Sequence, residues 1–210
     1  MLALLIFLIG VPVADDLTIL SRPAIRALMF SCLLIIGVWS LKGFRRFFSV
    51  GMTFVLIGIT LNVLSANLPS QVFVYGSFAA LFGFLLIAIS CTLKQVVVGT
   101  EISANRLVGA VCIYLLLGVI WAVAYTVLNL ISPGSFQGFS PLEDQSWDSE
   151  WLYFSFVTMT TLGYGDISPV SATARALAYM QAVFGQFYIA ILVAGLVSAY
   201  ISRRQDEIPD

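Results

Sequence analysis

Asp148-Ser149-Glu150-Trp151-Leu152-Tyr153-Phe154-Ser155-Phe156-Val157-Thr158-Met159-Thr160-Thr161-Leu162-Gly163-Tyr164-Gly165-Asp166 decides how this chain of 210 residues folds. Its two halves obey different rules. Asp148 or Ser149 suits a helix N-cap, and Glu150 suits the first turn, where a carboxylate meets the partly positive end of the helix. Trp151–Leu162 is apolar, but at roughly 18 Å if fully helical it is too short to cross a hydrocarbon core about 30 Å thick. A short helix over 149–160 is predicted instead, entering the membrane and turning back, with its partly negative C-terminal end aimed at the membrane centre. In Thr161-Leu162-Gly163-Tyr164-Gly165 that follows, glycines two residues apart permit backbone angles barred to other residues. Irregular backbone at membrane depth is tolerated only where it is buried in protein or lines a water-filled path. An extended chain of this composition can turn successive carbonyl oxygens to one side. Four such strands around an axis make stacked rings of oxygens, able to replace the water around a dehydrated cation. One strand cannot close a ring, so the stretch predicts a tetramer.

The rest of the chain fits a membrane setting. Hydrophobic residues make up 60% and charged residues 10%, and mean hydropathy is +1.00; a soluble domain carries about 25% charged residues. The net charge of -1 offers nothing to a nucleic acid. Apolar runs cover Met1–Ala14, Ala24–Leu41, Val50–Ala66, Val72–Leu93, Leu107–Ile131 and Leu177–Ile201. Asp15-Asp16 and Ser21-Arg22-Pro23, Lys42-Gly43 with Arg45-Arg46, a tight turn at Asn67-Leu68-Pro69-Ser70, a polar link Thr100–Arg106 and Ser132-Pro133-Gly134 separate them. The fold class expected is an all-α membrane protein with six transmembrane helices, or five if the 14-residue first run does not cross. The front half, 1–98, holds four helices. The back half, 99–210, holds an outer helix 107–131, the re-entrant helix 149–160, the loop 161–166 and an inner helix 175–201. If the chain alternates from Met1, seven of the ten Lys and Arg residues fall on one side. That side is cytoplasmic by the positive-inside rule, which puts Ser132–Ser171 outside and the C-terminus inside.

The segment Thr161-Leu162-Gly163-Tyr164-Gly165-Asp166 resembles the selectivity-filter signature of tetrameric potassium channels, and the similarity in element order runs from about Leu107 to Arg204. The resemblance implies a potassium-selective channel in the cell membrane, a homotetramer in lipid. The carbonyls of Thr161, Leu162, Gly163 and Tyr164 would then line the ion sites, with the Thr161 hydroxyl innermost. It implies that Thr160 caps the pore helix and that Gly165 and Asp166 form the outer mouth. It also implies that Gly185, twenty residues after Gly165, is either a gating hinge or a packing glycine. No cofactor is implied beyond the permeant potassium ion, and any gating partner is unidentified. Three positions depart from the family pattern. Leu162 stands where Val or Ile is usual, Tyr153-Phe154 where many members have a Trp pair, and Val157 where some have a buried carboxylate. Phe154 cannot bond the Tyr164 hydroxyl, which leaves Thr158 for that contact and leaves Tyr153 to reach Asp166.

Several functions are disfavoured. The chain has no histidine, the commonest general base and metal ligand, and no paired intramembrane carboxylates, which argues against an enzyme. A secondary transporter would show paired broken helices in two halves. A less selective cation channel would normally lack Tyr164 or one glycine; a non-conducting accessory subunit would not need an intact filter. A voltage sensor needs several arginines along one helix, at about 2.3 kcal/mol per charge per 100 mV, yet Val72–Leu93 has no charge. About nine residues follow Ile201, too few for a sensing domain. Gly76, Ala79, Ala80 and Gly83 predict close helix contact in the front half. Gln186 is expected either to face a bundle or cavity or to bond a neighbouring helix. Cys32, Cys91 and Cys112 read as small core residues rather than a disulfide framework. Glu143, Asp144 and Asp148 read as part of a merely solvated loop or, repeated fourfold, as an acidic outer ring.

Overall fold

The computed structural model of the chain describes Gly10 and residues 45–68, 70–97, 104–138 and 149–206. Apart from Gly10, the runs expected over Met1–Ala14 and Ala24–Leu41 lie outside the described residues, as do Glu143, Asp144 and Asp148. The elements in order are α1 (Arg45–Asn67), α2 (Gln71–Val97), α3 (Ala104–Ile131), β1 (Phe136–Gln137), α4 (Ser149–Met159), β2 (Ser168–Pro169) and α5 (Ala172–Asp206).

The protein is a helical membrane protein. Within α2 and α3, Gln71–Lys94 and Val108–Ile131 are long and apolar enough to cross a bilayer, whereas the apolar part of α1, Ser49–Ser65, is shorter. α1, α2, α3 and α5 each run past the apolar run they contain. α1 begins at Arg45 rather than Val50, and α5 extends from Ala172 to Asp206. The expected polar link over Thr100–Arg106 is partly helix, because Ala104, Asn105 and Arg106 form the first turn of α3. Arg, Lys and Ala are good helix formers, so the hydrogen-bonded ladder continues into water after hydrophobicity stops.

The helices pack in a chain: α1 on α2, α2 on α3, and α3 on both α4 and α5, which also touch each other. Lipid tails are as apolar as leucine, so close backbone approach replaces hydrophobicity as the cement. Gly83 lies against the Phe54 ring, where a Cβ would come within 2.5 Å, and Gly76 against Leu61 at 3.0 Å. Ala80 is buried at the same seam, whereas Ala79 is exposed. On α3, Gly118 accepts the Phe156 ring of α4 so closely that no Cβ would fit. Phe84, Leu81, Leu85, Val119 and Val123 form the centre of the core.

After α3 the chain turns at Ser132-Pro133-Gly134, with Gly134 at φ +83°, and pairs β1 with β2 antiparallel, Phe136 opposite Pro169 and Gln137 opposite Ser168. Phe136 is driven into a cluster of edge-on rings. It lies 5.0 Å from Trp151, 5.5 Å from Phe154 and 5.6 Å from Tyr125, and Tyr125 lies 4.9 Å from Phe154. Such edge-to-face contacts add to the burial of the rings, and they seat the outer end of α4 against α3.

Candidate functional site

α4 ends in a capping arrangement that sets the loop after it. The Thr161 N–H donates to the Thr158 carbonyl at 3.0 Å, and the Leu162 N–H to the Val157 carbonyl at 3.0 Å. This pair of bonds is the Schellman motif, which needs a left-handed residue just past the helix end, normally glycine. Here that residue is Thr161, at φ +59°. A β-branched residue in this region is strained, and two ties to the helix end hold it there. The Gly163 N–H adds a third, to Val157 at 3.3 Å. Thr160 folds its hydroxyl back to the Phe156 carbonyl at 2.7 Å.

Beyond the cap, the hand of the backbone alternates. φ is positive at Thr161, Gly163 (+57°) and Gly165 (+80°), and at neither Leu162 nor Tyr164. Added Cβ atoms at Gly163 and Gly165 would meet nothing within 4 Å. These two glycines are therefore required by backbone angle rather than by space. All six residues Thr161–Asp166 are exposed in the single chain. Thr161 also borders an open hollow of about 450 Å³ that Ala182, Val183, Gln186, Phe187 and Ala190 of α5 line.

The outer end of the loop is tied on two sides. The Tyr153 hydroxyl donates to Asp166 Oδ2 at 2.5 Å, and the Ile167 N–H donates to Asp166 Oδ1 at 2.9 Å. These two bonds, the Tyr153 one foremost, hold the Asp166 carboxyl below its ordinary value. The same bond pushes the Tyr153 hydroxyl up to about 12. Tyr164 stacks on Tyr153, ring centroids 6.5 Å apart and 7° from parallel, and among the described residues no hydrogen bond joins it to Thr158. On the other side, Gln137 Nε2 donates to Ser168 Oγ at 3.0 Å. Gly138, at φ +94°, lies so near the Asp166 carbonyl that no side chain fits between them.

Gly185 is buried and packed on the end of α4, where a Cβ would sit 2.5 Å from the Met159 carbonyl oxygen. One turn earlier stands a polar group that the sequence did not single out. Gln181 is fully buried. Its Oε1 accepts the Tyr125 hydroxyl at 2.5 Å, and its Nε2 donates to the Ser155 carbonyl at 2.9 Å and to Ser155 Oγ at 2.7 Å. The only signal available was an amide inside an apolar run, and Gln186 gave the same signal.

Comparison with known proteins bears on what such a loop does. The family model described as Ion channel matches residues 110–202. Two-pore potassium channel 3 of Arabidopsis thaliana is 39% identical over 59 residues, 28% of this chain and 14% of that protein. Two pore potassium channel a of Oryza sativa subsp. japonica is 36% identical over 102 residues, 48% of this chain and 26% of that one. The chain thus spans about a quarter or less of the length of these relatives. No solved structure matches it significantly.

Proposed function

We propose, from the match of residues 110–202 to a family model described as Ion channel and from the similarity to potassium channels, that this chain conducts potassium passively through a filter of backbone carbonyls from Thr161, Leu162, Gly163 and Tyr164. The observation that carries the reading is the alternation of backbone hand at 161, 163 and 165. A chain whose residues alternate in hand turns successive peptide planes the same way, so its carbonyls can face one axis and replace an ion's hydration shell. Tyr153 and Asp166 brace the outer mouth, and Thr160 and Thr158 brace the inner end.

Four copies complete the rings. Six spans per copy, a front half 1–98 beside a pore half 99–210, a cytoplasmic C-terminus and a filter mouth facing out of the cell complete the proposed architecture. The potassium ion is cargo, and no other cofactor enters. Ion passage, not catalysis, is the activity that the match to an ion channel family model supports. Intrinsic arginine-based voltage sensing is not part of the proposal: along α2 the only charged residue is Lys94, in the last turn. Gating then falls to the membrane part, to lipid or to a partner.

Potassium flux into liposomes containing the purified protein tests this, with sodium as control and barium as blocker, at imposed potentials of both signs. Barium-sensitive potassium flux is expected, with a rate that follows the driving force alone. Equal sodium and potassium flux would sink the selective filter.

A further inference from the structure

We propose that Gln181 is a positioning residue: with Tyr125 and Ser155 it latches the pore helix α4 between α3 and α5 and so sets the filter's affinity for potassium. The inference rests on the channel reading and adds to it a determinant outside the filter and its outer brace.

The geometry is a directed relay across three helices. The Tyr125 hydroxyl of α3 donates to Gln181 Oε1 on α5, Gln181 Nε2 donates to Ser155 Oγ and Ser155 carbonyl on α4, and Ser155 Oγ donates back to the Gly118 carbonyl of α3 at 2.6 Å. Gly118 and Tyr125 are seven residues apart, two turns along one face of α3. Tyr125, Ser155 and Gln181 are all 0% exposed. Both amide protons of Gln181 and its oxygen are used, which also fixes which way the amide points. A buried network of this kind specifies a single arrangement when complete and is costly when half made. At membrane depth water offers no substitute partner.

Two contacts in step define how α5 holds α4. Gln181 meets Ser155, and Gly185 meets Met159; both pairs advance by four residues, one helical turn on each element. The upper contact is a hydrogen-bonded latch and the lower one a backbone notch. The last turn of α4 then supplies the Val157 and Thr158 carbonyls that hold the N–H groups of Thr161, Leu162 and Gly163. Any slip of α4 along α5 is therefore delivered to the first three filter residues.

Thermal unfolding of the purified full chain, titrated with potassium against sodium, reads the effect as the potassium concentration giving half of the maximal protection. Tyr125→Phe removes one hydroxyl and keeps the ring, so it is the variant that leaves the fold least disturbed. Gln181→Met keeps the side-chain length and removes the amide. Each is expected to raise the half-protecting concentration about fivefold or more, and the double variant to raise it no further than either single one, as members of one network do. A latch with only a structural role would lower the unfolding temperature equally in both salts and leave the half-protecting concentration unchanged; that result overturns the inference and leaves the channel reading intact. Absence of any preference for potassium over sodium in the unsubstituted protein would overturn the channel reading, and the latch's role in it with it.

Discussion

Gly185 has two explanations whose consequences differ in sign. In a helix that merely needs to bend, alanine would stiffen and stabilise the segment, by about 1 kcal/mol on propensity alone. In the structure, however, an added Cβ would lie 2.5 Å from the Met159 carbonyl oxygen. Overpacking of that kind costs about 1–3 kcal/mol, so Gly185→Ala is expected to lower the unfolding temperature of the purified protein; a rise would restore the hinge reading. The pair Tyr153 and Asp166 makes a second prediction at this scale. Asp166 has its pKa lowered in the fold from an ordinary 3.8, so its contribution is present above that value and is lost only as pH falls further. Tyr153 has its pKa raised from 10.0 to about 12, so its contribution is full below 10 and fades as pH rises towards 12. Tyr153→Phe should therefore change potassium flux by a constant factor from about pH 5 to pH 9. A factor that varied across that window would show another titrating group at work. Glycine spacing made the loop legible in the sequence, because few residues adopt the angles it needs. Gln181 was not legible: its meaning depends on residues 125, 155 and 181 converging, and no local spacing encodes that.

At the scale of elements, the short ribbon β1–β2 does more than close the outer loop. Val170 and Ser171 N–H groups both donate to the Ser135 carbonyl, at 2.8 and 3.2 Å, so the chain leaving the 161–166 loop is fastened to the end of α3. Gly138 is where the fit is closest, since both its φ of +94° and the Asp166 carbonyl against it exclude a side chain. Gly134 provides a built-in control: φ is +83°, yet nothing lies within 4 Å of an added Cβ. Gly134→Ala should cost only the left-handed penalty of about 1–2 kcal/mol. Gly138→Ala adds a backbone clash and should cost roughly 1–3 kcal/mol more. Unfolding temperatures of the two variants compared side by side check this, and equal losses would mean the ribbon yields freely. Sequence reading located the helices among the described residues because apolar runs mark them, but it missed the ribbon: two strands of two residues are too short to show alternation. Helix ends ran past the apolar limits because polar residues such as Arg45 and Asn105 continue a backbone ladder that hydrophobicity cannot register.

For the molecule as a whole, exposure of apolar side chains alone decides little, since lipid accepts them. Ile191 is 71% exposed and Tyr179 63%, and either could face acyl chains. The loop after α4 is different. Thr161–Asp166 is irregular backbone, exposed along its length in a single chain. At membrane depth each unpaired peptide group facing lipid costs several kcal/mol. With the loop at that depth, as proposed, a lone copy is a poor membrane species, and copies that turn these loops towards a shared watery axis remove the cost. Four-fold assembly follows if the carbonyls are to close rings around an ion. Light scattering of the protein in mild detergent is then expected to give the mass of four chains. Ion binding that exists only in the assembled ring stabilises the ring by mass action, about 2.7 kcal/mol when potassium stands at a hundred times its dissociation constant. Assembly should accordingly dissociate at a higher temperature in potassium than in sodium at equal ionic strength. A monodisperse single chain, or an assembly indifferent to which cation is present, would separate the loop's geometry from the conduction proposed for it.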